Sequence, residues 1–228
     1  MQQITEIEKL DNPVWYALSE SHRAFAIFQN NVQFYQPNYC PFGAFTKQEN
    51  MTEALAEYAN LTNNFFIVGQ KPIYPNSLFL QQELVCLQMI IEQPIQIPIN
   101  NPIKLLTKAD MPALFNLVNL VQPGYFRKDT AALGNYYGIF QNEELVAVTG
   151  ERMQMNAFIE VSAVVTHPQH TRKGYAKQLI AHTVNNIFAQ GKMAFLHVAA
   201  TNIGAIALYE SLGFTPRRKI SFWHLAGA

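Results

Sequence analysis

The sequence predicts a mixed α/β protein, a central sheet with helices on both faces, preceded by a smaller and divergent α/β half. Three observations carry this expectation. Hydrophobic residues follow strand and helix periods in alternation from about residue 103 to residue 224. Helix boundaries in that series are marked by glycines at 174 and 213. A stretch of spaced prolines near residue 98 separates the series from what precedes it.

The composition suits a folded chain. Of 228 residues, 49% are hydrophobic and 14% charged, against about 25% charged in ordinary domains. The surface must therefore rely on Asn, Gln, Ser and Thr, and disorder is excluded. Sixteen basic residues balance sixteen acidic ones, so no overall field exists to hold a nucleic acid or an anionic membrane. The longest apolar runs, Leu84 to Leu87 and Met89 to Ile91 with Gln88 between them, fall short of the ~18 residues of a bilayer span. Glu6 and Glu8 occupy positions where a secretory leader needs a basic and then an apolar region. A cytoplasmic protein is expected. Cys40 and Cys86 have neither disulfide-framework nor metal-cluster spacing, and are read as buried free thiols.

Residues 1–100 hold 4 basic and 9 acidic side chains, and residues 101–228 hold 12 and 7, giving −5 against +5. The change falls within EQPIQIPINNPIK, where Pro94, Pro98 and Pro102 oppose helix and suit an extended connector. A boundary is expected at about residue 98, giving units 1–98 and 99–228. An edge strand within one domain is the alternative, since Gln and Ile alternate there. In the first unit, AFAIFQNNVQFY reads as a hairpin turning at Asn30 and Asn31. MTEALAEYAN reads as a helix capped near Asn50, followed by the strands FFIVG and LVCLQMII. His22 and Arg23 are isolated and expected at the surface or in a structural role. This half is expected to shape a site more than to perform chemistry.

The second unit begins with the short strand IKLLT and the helix ADMPALFNLVNLV, capped by Thr107 or Asp110. GIFQ and ELVAVTGERMQM read as strands around a turn at Asn142 and Glu143. FIEVSAVVTHP is a strand stopped by Pro168. A helix from about Lys173 to Ala189, the strand MAFLHVAA, the helix IGAIALYESL and the strand FTPRRKISFWHL complete the series.

Most functional information lies in VVTHPQHTRKGYAKQLI. A strand ends, a polar loop turns, and a helix starts at a glycine beside Arg172, Lys173 and the small Ala176. Helix starts leave N–H groups unpaired and carry partial positive charge, so several donors face an anion such as a pyrophosphate. Gly174 allows close approach because a side chain there would stand between backbone and ligand. Downstream, Asn202 can cap a helix carrying Ala205, Leu208 and Tyr209, with Gly213 at its end.

Together these segments resemble the GNAT superfamily of acyl-CoA-dependent N-acyltransferases. The resemblance rests on V-x-T-x-P at Val164, Thr166 and Pro168, on R-K-G-Y-A at Arg172 to Ala176, and on N-x-x-A-x-x-L-Y-x-x-x-G-F from Asn202 to Phe214. It covers roughly residues 103 to 224. PGYFRKDTAALGNYYGIF, LVAVTGERM and EVSAVVTHP look most like the branch whose C-terminal domain follows a divergent N-terminal half. The loop departs from the pattern at two positions. Thr171 stands where the family usually has Gln or Arg, and Arg172, often Gly in the family, is expected to crowd the loop.

The resemblance implies acetyl-CoA as acyl donor and a GNAT-type mixed sheet whose loop strand splays from its neighbour after a bulge. Val164, Val165 and Thr166 would then bind the pantetheine arm by β-augmentation. Thr171, Arg172, Lys173, Gly174, Tyr175 and Ala176 would hold the diphosphate, with Asn202, Ala205 and Tyr209 completing the cofactor site. Tyr209 matches the family's tyrosine near the CoA sulfur and is expected to act as general acid, its phenol staying protonated at the unperturbed pKa of about 10. Glu160, alternating with Ser162 and Val164, is the candidate general base, acting through water with a pKa raised by partial burial. A substrate-ammonium anchor is its other reading. Arg152 can pair with Glu151 or bind a substrate carboxylate. The oxyanion donor would be a backbone N–H on the Val164 strand. His167 and His170 lack a third ligand, so no metal is expected. His197 is expected to be a satisfied core imidazole.

The expected reaction is direct acetyl transfer to a small or amino-acid-like amine, with no nucleic-acid or membrane partner; a homodimer is compatible with the sequence. A non-catalytic acyl-CoA sensor or partner subunit is the alternative, favoured by Thr171.

Overall fold

Two short helical elements that sequence periodicity does not reveal open the chain. A 3-10 turn, Glu6–Asp11, is closed by a capping box in which the Thr5 N–H donates to Glu8 Oε2 at 2.7 Å. Helix α1, Pro13–Ser19, follows at once, with proline in its first turn. At 6 and 7 residues, neither shows enough turns to establish a period. The computed structural model describes residues 4–29 and 31–227.

Strands β1 (Ala26–Gln29) and β2 (Val32–Tyr35) form the expected hairpin; of its turn residues, Asn30 lies outside the described residues. An unanticipated strand, β3 (Phe42–Phe45), precedes α2 (Met51–Ala59) and β4 (Asn64–Val68). Asn50 is the residue before α2, in left-handed conformation at φ 61°, but its side chain makes no capping bond. β5 runs from Leu78 to Ile91. The connector that follows forms no strand, so the edge-strand alternative is not found. Its backbone is tied to the next long helix by side chains instead. The Ile95 N–H donates to Asn185 Oδ1 at 2.8 Å, and the Asn100 and Asn101 N–H groups donate to Gln178 Oε1 at 2.8 and 3.0 Å.

Then come β6 (Lys104–Leu105), α3 (Met111–Val121), β7 (Tyr136–Gln141), β8 (Glu144–Gln154), β9 (Phe158–Thr166), α4 (Tyr175–Ala189), β10 (Met193–Ala199), α5 (Ile203–Ser211) and β11 (Thr215–Gly227). Both proposed caps of the α3 region act together: the Thr107 N–H and Oγ1 donate to Asp110 Oδ2 at 2.8 and 3.0 Å.

All the strands belong to one sheet, ordered β1-β2-β3-β4-β11-β5-β10-β9-β8-β7-β6. β5, from before residue 98, lies between β10 and β11 and pairs antiparallel with both. The sheet therefore passes continuously across the division near residue 98. Its two faces carry different helices. Leu10 and α1 pack with Met153, Phe158, Phe195 and Phe222 on one face. Helices α4 and α5 cover the other through Ile180, Val184 and Tyr209 against Ile159, Leu196 and Val198. Alternation along β10 sends Phe195 and His197 one way and Leu196 and Val198 the other.

Candidate active site

β9 and β10 are parallel neighbours only from Phe158↔Met193 to Glu160↔Phe195. Beyond that point β10 stays with β5 as far as Ala199↔Cys86, while β9 continues with β8 to Thr166↔Ala147. The parting coincides with a bulge. Gly150 pairs Ser162 but Val148 pairs Val165, so β9 carries one extra residue, and Ala163 takes a left-handed φ of 50°. A slot thus opens through the sheet, edged by backbone that lacks its strand partner. Val164 lines this slot and Thr166 lines the loop beyond it. The side chain of Val165, 3% exposed, points into the α3 core.

At the top of β9 the chain turns through a 3-10 segment, Pro168–His170, into α4. The helix begins at Tyr175, two residues later than expected, because Gly174 has φ 74° and Arg172 has φ 61°. Arg172 therefore accommodates by backbone rotation into the region the family often gives to glycine. Among the described residues, no backbone partner is found for the N–H groups of Arg172 through Lys177. A Cβ at Gly174 would meet no protein atom nearer than Gln178 Nε2 at 3.8 Å, so the space above the glycine is empty of protein. Unpaired donors, Arg172, Lys173 and Lys177, and an open hollow of about 310 Å³ meet the requirements of a diphosphate. Thr171 Oγ1 points back to the Pro168 carbonyl at 3.4 Å.

Ala176 and Leu208 border both this hollow and a second cavity of about 420 Å³. That cavity is lined from both faces of the sheet. From the α5 side come Asn202, Ala205 and Tyr209; from the α1 side come Arg152, Tyr125, Phe42, Leu84 and Phe222. Asn202 Oδ1 accepts the Ala205 N–H at 3.1 Å, so this residue caps α5 as expected. Tyr209 is 8% exposed, and burial pushes its phenol up to about 12. Its hydroxyl stays protonated and makes no hydrogen bond among the described residues while bordering the cavity. Phe42, Leu84 and Cys86 come from the N-terminal half. That this half shapes a site was expected, but not through which residues, because the wall forms by the pairing of β5 with β10 and β11.

Glu160 stands where the strands part, and its circumstances differ from the expectation. It is 1% exposed, with Arg152 Nε donating to Oε2 at 2.7 Å, Arg152 Nη2 to Oε1 at 2.8 Å, and His197 Nδ1 to Oε1 at 2.8 Å. Burial alone would raise its pKa, but the Arg152 charge and the hydrogen bonds from Arg152 and His197 outweigh it and hold the carboxyl at about 2. The expected upward shift is thus reversed, and no oxygen is left without a partner. Arg152 pairs with Glu160, not Glu151; the Glu151 carboxylate, 0% exposed, instead accepts from the Asn135 backbone N–H and side chain. His197 is satisfied as expected but also lines the cavity. Gln88 Nε2 donates to the Leu10 carbonyl at 2.8 Å and meets His197 Nε2 at 3.0 Å, which places the imidazole proton on Nδ1, toward Glu160. Among the described residues no three His, Cys, Asp or Glu side chains cluster as a metal site.

His22 is structural: buried at 3% exposure, it bonds the Tyr35 hydroxyl at 2.9 Å and the Leu133 carbonyl at 3.0 Å. No helix among the described residues is long and apolar enough to cross a membrane.

Comparison with known proteins agrees with this fold. The family model FR47-like protein matches residues 136–223. Over 122 residues the chain is 30% identical to the [Ribosomal protein bS18]-alanine N-acetyltransferase of Salmonella typhimurium, covering 50% of this chain and 80% of that protein. A GNAT-family protein from Novosphingobium aromaticivorans superposes with a TM-score of 0.86 at 31% identity, over 96% of this chain and 98% of the other. A GCN5-related N-acetyltransferase-like protein from Streptococcus suis shares the fold at a TM-score of 0.65 and 14% identity, over 96% of each chain. The chain belongs to the GNAT family and is an N-acetyltransferase.

Proposed function

We propose that the protein transfers an acetyl group from acetyl-CoA directly to the amine of a small or amino-acid-like acceptor within a ternary complex. The observation that carries this reading is the slot between β9 and β10, which joins the phosphate hollow on the α4 side to a cavity on the α1 side. The donor would lie with its diphosphate on the N–H groups of residues 172–176 and its arm along Val164 to Thr166. The acceptor would enter opposite, against Phe42, Tyr125 and Arg152.

In the step itself the amine nitrogen attacks the thioester carbonyl carbon, an N–C bond forms and the C–S bond breaks. The amine proton passes to water in the cavity, and Tyr209 supplies a proton to the departing thiolate, regaining one from solvent. The acid role is supported by the position of its hydroxyl, which borders the cavity and carries its proton at neutral pH. A free N–H at the β9 bulge would receive the oxyanion charge. Glu160 acts as a positioning residue, because its low pKa and full set of partners suit a fixed anion better than a base. Direct transfer is supported by the state of Cys86, the cavity's thiol, which burial pushes up to about 12, so it offers no thiolate for an acyl-enzyme.

In this reading residues 1–98 contribute Phe42, Leu84 and Cys86 to the acceptor space, and residues 99–228 bind the donor and complete that space with Tyr125 and Arg152. Two free thiols suit a cytoplasmic place of action. Thiol release from acetyl-CoA across a panel of amines tests the proposal. Acceptor-dependent CoA production is expected; tight acetyl-CoA binding without release on any acceptor would refute it.

A further inference from the structure

Arg152 enters the acceptor side of the cavity with its side chain 13% exposed. Its guanidinium is fixed from two directions. Glu160 takes Nε and Nη2 at 2.7 and 2.8 Å, and the Phe42 ring lies 4.7 Å from the central carbon. Nη1 has no hydrogen-bond partner among the described residues, and it is not one of the sealed-off polar atoms. A guanidinium held this way has little rotamer freedom left to lose, so its remaining donors are already oriented for an incoming acceptor.

The rest of the wall has a consistent character. Gln122, Tyr125 and Ser162 add neutral hydrogen-bonding groups, and no Asp or Glu lines the cavity among the described residues. Glu160 lies behind the arginine, closed to the cavity at 1% exposure. An ammonium-rich acceptor would therefore meet a fixed cation with no anion in reach. A carboxylate would meet an oriented N–H donor.

We propose that Arg152 determines acceptor specificity by binding a carboxylate, so that the substrates are free amino acids and not polyamines. This rests on the acetyl-transfer reading and names its substrate class.

The test uses the full chain loaded with CoA, titrated calorimetrically with each proteinogenic L-amino acid, its carboxamide, and spermidine. The same compounds are then offered in the thiol-release assay with acetyl-CoA. At least one amino acid should bind 10-fold or more tightly than its carboxamide, with kcat/KM higher by a similar factor. Arg152→Lys keeps the charge but loses the planar fork; it should reduce that ratio toward one while leaving CoA affinity unchanged, whereas damage to the fold would weaken both. Equal use of acid and amide, preference for spermidine, or no binding by any amino acid overturns the carboxylate proposal. Selective amino-acid binding without thiol release from any compound leaves it standing and overturns the acetyl-transfer reading instead.

Discussion

Replacing Glu160 with Gln removes a buried anion while keeping nearly the same shape. The wild-type carboxyl is held at about 2 against a reference of 4.5, a difference worth about 3 kcal/mol at neutral pH. Loss of one partner from a buried, hydrogen-bonded ion pair independently suggests about 3–5 kcal/mol. Because the folded-state pKa is depressed, the stabilisation is fully present above pH 4.5 and is lost as pH falls through about 2. Urea unfolding at pH 7, 6 and 5 should place the variant about 3 kcal/mol below wild type at every pH, with unchanged slope. Subtraction cancels groups common to both proteins. A deficit below about 1 kcal/mol at pH 7, or one that grows as the pH falls from 7 to 5, would mean the carboxyl titrates near neutrality and would return it to the role of base.

Three further outcomes follow from the same geometry. Tyr209→Phe should lower kcat by about 10²-fold or more with acetyl-CoA affinity nearly unchanged, measured by steady-state thiol release and calorimetry; full turnover would remove the acid role. Gly174→Val places a β-branched side chain at φ 74° and in the empty hollow, so acetyl-CoA binding should fall below calorimetric detection while circular dichroism shows a folded protein. Burial, opposed by the Leu133 carbonyl, lowers His22 to about 4 from 6.5, so wild type should lose about 3 kcal/mol as pH falls from 6.5 to 4. His22→Gln should lack that loss, and its stability deficit should narrow over the same window in urea titrations.

How much of this was legible in the sequence depends on range. The C-terminal series was legible because its elements are long and periodic, and because the glycines at 174 and 213 sit where positive φ is required. The turn before α4, the candidate phosphate corner, was legible for the same local reason: a helix start, a glycine and basic neighbours lie within six residues. The short helical elements and β3 in the first half were not, since four to seven residues do not establish a period. Glu160 shows the limit most clearly. Its position on a strand beside the splay could be read, but the sign of its pKa shift depended on Arg152, eight residues away, and His197, thirty-seven away.

By itself the sequence determined the order of strands and helices in the C-terminal series and the glycine-bearing turn ahead of α4, all set by neighbours within a few residues. Only the tertiary structure decided that β5 would lie between β10 and β11, and that Phe42, Leu84, Tyr125 and Arg152 would line one cavity. Pairing across a sheet and the partnering of buried charges are settled by groups distant in sequence, whose approach no local pattern encodes.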